Sequence, residues 1–140
     1  MSKPTIFFKS GEHKARFLAA VQKLDKLWDG SKIDQEYGAA LYILTIDQWT
    51  WESVQEYVSK SGIRFDLILE NIHLSTGYAV LIKLAANLFG HLTIHCDPVA
   101  FMILDQGNFN VALAALLIRR NVYRMQDFEE YLTSNEENEQ

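Results

Sequence analysis

Three stretches of this chain are apolar on nearly every side of a helix: Gly38–Leu44, Tyr78–Phe89 and Val111–Ile118. A helix at a protein surface carries one apolar stripe. A helix that is apolar all round must be covered on every side, by protein or by lipid. None of the three runs reaches the roughly 18–20 residues that a bilayer span needs. The expected fold class is therefore all-α, a single compact globule of about six or seven helices. Its centre is expected in the apolar helices near 35–45, 76–89 and 110–122.

The size supports such a core. A chain of 16.1 kDa buries about two-thirds of its unfolded surface, so it needs no covalent or metal staple. Cys96 is its one cysteine, which excludes an internal disulfide and fits a reducing compartment. The apolar run Ile6-Phe7-Phe8 is too short for a secretory signal, and the expected location is cytoplasmic.

Boundary residues divide the chain into helices. Ser10 is a good N-cap with Glu12 in the first turn; Phe17, Val21, Leu24 and Trp28 then repeat at helical spacing, with Asp29-Gly30-Ser31 as the stop. Asp34 is expected to cap a second helix through about Thr45. Asp47 or Thr50 should cap a third through about Ser59, with Trp51, Val54 and Val58 inward. A short helix over Arg64–Asn71 follows. Ser75 or Thr76 should open the fifth helix, closed by Gly90 as C′ glycine. Asp97-Pro98 is the strongest start signal, a cap followed by proline at N1. Asn108 or Asn110 should begin the last long helix, through about Tyr123, with a further turn near Asp127–Leu132. Only Leu92–Cys96 alternates like a strand, and no internal repeat is visible. Residues 1–132 read as one helical domain and 133–140 as an acidic, mobile tail.

Charge is segregated. Residues 1–32 hold seven basic and three acidic side chains, whereas residues 33–118 hold three and nine. Arg119, Arg120 and Arg124 follow, and the last fifteen residues carry six acidic and no basic groups. The nearly neutral body argues against a large nucleic-acid footprint, which wants a basic face.

No constellation of reactive residues stands out. His91, His95, Cys96 and Asp97 are metal-capable, yet they lie between a helix stop and a helix start. In an extended segment the two histidines would be about 13 Å apart, too far to share one ion. The stretch from Val99 to Tyr123 has helix-turn-helix spacing, but its second helix opens on Val111-Ala112-Leu113-Ala114-Ala115, where base-reading polar side chains belong. Lys83 and Asn87 share a narrow face of the fifth helix, best read as a solvent-facing stripe. His13 and His73 have no nucleophile selected by spacing and read as structural residues. There is no phosphate-binding glycine loop, Gly-x-Ser-x-Gly, His-Glu-x-x-His or Cys-x-x-Cys, and nothing demands a cofactor.

The stretches Phe8–Phe17, Glu36–Thr45 and Asn108–Leu113 resemble a small family of uncharacterised bacterial and phage helical proteins. The resemblance spans about residues 7–124. It implies a bacterial or phage origin and a compact helical domain, and it carries no activity.

The expected function is a non-enzymatic protein-interaction or regulatory module with a protein partner and no membrane. Its candidate contact residues are Lys14, Lys23, Trp49, Trp51, Glu52, Glu56, Arg119, Arg120 and Arg124, because charge is segregated and aromatic residues anchor interfaces; core filling is the competing reading of the tryptophans. One alternative is an enzyme or small-ligand binder with a pocket near Tyr42, Asn87 and His91–His95. The other is a nucleic-acid-binding protein using the basic first helix, through Lys9, Lys14 and Lys23, together with Arg119–Arg124.

Overall fold

The computed structural model describes residues 3–129. The acidic segment 133–140, and the part of the expected last turn beyond residue 129, lie outside the described residues. The fold is mostly helical, as expected, with two small antiparallel hairpins among the described residues.

The helix α2 (Gln35–Leu44) is the centre. Asp34 caps it by accepting the Tyr37 N–H, and the eight residues Tyr37–Leu44 are all buried. An uninterrupted buried run needs neighbours all round, and three helices supply them. The helices α5 (Thr76–Phe89) and α6 (Gln106–Arg120) lie against α2, and so does α1 (Gly11–Lys23). The Tyr37 ring meets Phe89 edge-on at 4.9 Å, so α2 starts where α5 ends. Gly38 faces Ile118 near the end of α6, so α2 is antiparallel to both. Those two run parallel to each other: Gly77 sits beside Asn108 at their starts, and the Arg119 Nε–H donates to the Leu88 carbonyl at 2.9 Å near their ends.

Parallel neighbours need a long return connection. Residues 91–105 provide it, running back from the end of α5 to the start of α6. Asn87 holds its beginning, donating to the His91 carbonyl at 3.0 Å and the Ile94 carbonyl at 2.7 Å. Asp97-Pro98 opens only a short 3-10 helix, over Pro98–Ile103. Asp105, rather than Asn108 or Asn110, caps α6 by accepting the Asn108 N–H. The alternating stretch Leu92–Cys96 is a turn and bend followed by irregular chain, not a strand.

The strands lie elsewhere. Helix α1 stops at Lys23 because Asp25 turns left-handed (φ 56°). The Lys26 N–H then bonds the Val21 carbonyl and the Asp25 N–H the Gln22 carbonyl, the helix-ending pattern usually built on glycine. Leu24 and Trp28 thereby leave the expected helix. Leu27–Trp28 (β1) pairs with Lys32–Ile33 (β2) around a turn in which Asp29 and Gly30 have positive φ. Helix α3 (Gln48–Val54) also ends before Ser59, passing through a 3-10 turn at Gln55–Tyr57 into the second hairpin, Val58–Ser59 (β3) with Gly62–Ile63 (β4). In each hairpin the final isoleucine, Ile33 or Ile63, is buried, and a helix begins two residues later; after Ile63 it is α4 (Phe65–Asn71). A third strand-to-helix passage follows at Arg124, which bridges Lys32 before residues 125–129 turn helical. The chain thus reuses one local device that no sequence repeat announces.

Gly38 permits the closest approach. An added Cβ there would lie 2.9 Å from the Ile33 Cγ2 and 3.2 Å from the Ile118 Cγ2. Both neighbours are stiff β-branched groups. Replacing Gly38 by Val should lower stability by about 2 kcal/mol through overpacking. Gly11→Ala, where nothing lies within 4 Å, should be neutral or slightly stabilising. Urea unfolding measures both; a Gly38→Val protein as stable as the parent would refute this packing.

Candidate functional site

The residues that size and charge single out divide into those absorbed by the fold and those left on the surface. Lys14 is buried, with its ammonium over the Phe8 ring at 6.0 Å, and burial lowers its pKa. Trp51 is buried among the core residues, whereas Trp49 and Trp28 are exposed. One tryptophan of three therefore fills core. Trp49, Glu52 and Glu56 share the outward side of α3 and its 3-10 extension, and Gln48 donates to Glu52 there at 2.5 Å.

The arginines separate in the same way. The Arg119 guanidinium spans from the Leu88 carbonyl to Glu36, 3.8 Å away. Arg124 donates to the Ser31 hydroxyl at 3.1 Å. Lys9 donates to the Asn108 Oδ1 at 3.0 Å and lies 5.6 Å from the Tyr78 ring centre. The side chains of Lys23 and Arg120 are exposed and make no hydrogen bond or ion pair among the described residues. The basic groups named for nucleic acid are thus mostly committed to holding the fold. Within α6, Val111, Ala112, Ala114 and Ala115 are buried, and the polar side chains of its first turns, Gln106 and Asn110, bond each other at 2.8 Å.

The pocket expected near Tyr42, Asn87 and His91–His95 does not assemble. Tyr42 is fully buried; its hydroxyl donates to the Phe7 carbonyl and burial raises its pKa. It belongs to an aromatic cluster with Phe8, His13, Phe17 and Phe128, whose ring centres lie 4.8–6.0 Å apart. Asn87 is consumed by the return segment, not by solvent as a stripe would require, while Lys83 is exposed. His91 packs against Phe65, with ring centres 6.1 Å apart, and His95 is exposed. Burial raises the Cys96 thiol pKa, the reverse of what an activated nucleophile needs. Among the described residues no three His, Cys, Asp or Glu side chains are grouped to hold a metal. Among them, too, no helix is long and apolar enough to cross a membrane.

What remains is a set of exposed apolar side chains. Six of the ten large apolar side chains exposed among the described residues are Leu92, Val99, Met102, Ile103, Leu113 and Leu116. Four sit on the return segment, where Leu92 is 82% exposed; two sit on α6. Singly scattered exposed apolar residues need no explanation, but four of these fall within twelve residues of one segment. Charge patterning could not find it, because these residues look like core in the sequence. No family model, curated protein or solved structure matches the chain.

His13 illustrates the buried chemistry. Its Nδ1 accepts the Lys9 N–H at 3.2 Å, and its Nε2 lies 2.7 Å from the Tyr42 carbonyl. Only the neutral Nε2–H tautomer satisfies both. Burial is the largest cause lowering its pKa from 6.5 to about 4, with Arg16 and Lys9 adding to it against the Tyr42 hydrogen bond. Between those values the unfolded chain holds the extra proton, so stability rises with pH through this window. Acidification across it should cost about 3 kcal/mol from this residue. His13→Gln keeps a donor and an acceptor without titrating. Urea unfolding at about pH 7 and pH 4.5 should show a smaller loss in the variant than in the parent; equal losses would contradict the assignment.

Proposed function

We propose that this chain is a non-enzymatic protein-interaction module whose partner docks on the return segment between α5 and α6. One observation carries the reading: Leu92, Val99, Met102 and Ile103 all stand exposed within twelve residues. Exposing side chains of this size forgoes about 1.5–3 kcal/mol each relative to burial. The segment is at the same time anchored. Asn87 fixes its beginning, Asp97 caps its 3-10 helix by accepting the Val99 N–H, and Phe101 and Leu104 pack against the core. Its apolar side chains are therefore presented by a braced scaffold, which lowers the ordering cost of binding.

The partner that fits this surface offers an apolar groove or face. The acidic side of α3, with Trp49, Glu52 and Glu56, is a second exposed patch suited to a basic neighbour. The test is affinity capture from the native host with the parent chain and two variants. Met102→Glu/Ile103→Glu should abolish retention of a specific partner, whereas Lys23→Glu should leave it intact. Capture unaffected by the first variant, or no specific partner with the parent, would overturn the reading.

A further inference from the structure

Among the described residues, the third all-round apolar run is left partly uncovered. In α2 every residue from Tyr37 to Leu44 is buried. In α6, Leu113 is 45% and Leu116 42% exposed. They fall on a stripe with Gln106, half-buried Phe109 and Arg120. The intervals are three and four residues, the spacing of a seam between two packed helices. A solvated face would carry charge at its middle. This one carries leucines at its middle and keeps polar groups for its ends.

Those ends differ in sign. Arg120 closes the stripe with no side-chain partner among the described residues, and exposed Asp105 lies just before its start. We infer that α6 pairs with α6 of a second copy, antiparallel about a two-fold axis between Leu113 and Leu116. Leu113 of each copy then packs on Leu116 of the other. Arg120 comes to lie about three residues along the axis from the partner copy's first helical residue, roughly 4.5 Å, and reaches Asp105. A parallel pair would instead oppose arginine to arginine and aspartate to aspartate. The two-fold arrangement is closed, so it makes dimers and not chains. The two proposals rest on different side chains and different measurements, so either can fail without the other.

One helix of fifteen residues per copy is a contact at the small end of specific interfaces. The expected dimer is therefore micromolar in affinity. Sedimentation equilibrium on the full chain tests it. The parent should dimerise with a dissociation constant of about 1–100 µM, and Leu113→Glu should leave only monomer. Arg120→Glu should weaken the dimer about tenfold, because the change acts twice in a two-fold interface. Gln106→Lys/Arg120→Glu should restore it, since a cation at position 106 then meets the carboxylate at position 120 and the cap at Asp105 is untouched. A parent that stays monomeric at about 1 mM would overturn the proposal. So would a dimer indifferent to Leu113→Glu, a double variant no tighter than Arg120→Glu, or growth into larger species, the mark of a head-to-tail contact.

Discussion

Burial of α2 on every side is the constraint from which the rest of the architecture follows. Eight consecutive buried residues leave no face for water, so helices must stand around it. Each flanking helix is fixed to it by a specific contact: Tyr37 on Phe89, Gly38 against Ile118, and His13 on the Tyr42 carbonyl. Because α5 and α6 both oppose α2, they must run parallel to each other, and a long return segment becomes unavoidable. The most exposed apolar side chains lie on that segment. The surface proposed for binding is thus a consequence of how the centre is enclosed.

The first and last described segments are tied into the same arrangement. Lys3 forms an ion pair with Asp127 at 2.7 Å and donates to the Val122 carbonyl at 2.9 Å. The Tyr123 hydroxyl donates to the Pro4 carbonyl at 2.6 Å. Phe8 and Phe128 then close on Phe17 and Tyr42. Both segments therefore serve the aromatic cluster, and His13 sits neutral within it.

The helices were legible because their signals are local. Ser10, Asp34, Asp47 and Ser75 each cap through a side-chain oxygen, and Gly90 ends α5 with φ 106°. The hairpins were not legible because two-residue strands have too few positions to show alternation. Asp25 in a left-handed conformation does the work that a glycine would have advertised. Apolar periodicity carried Leu24 and Trp28 into a helix that the backbone had already left. The open face of α6 was hidden for a related reason. Leu113 and Leu116 share their composition with the buried positions beside them, and nothing in a single chain says which apolar face its neighbours will leave open.

Native-state hydrogen exchange tests the central role of α2 most directly, because amides in the last element to open exchange only through global unfolding. The amides of residues 39–44 should be the slowest in the molecule and share the free energy of global unfolding, with the hairpins and α4 exchanging faster through partial opening. Exchange in α2 as fast as in α4, while α5 and α6 stay protected, would contradict it.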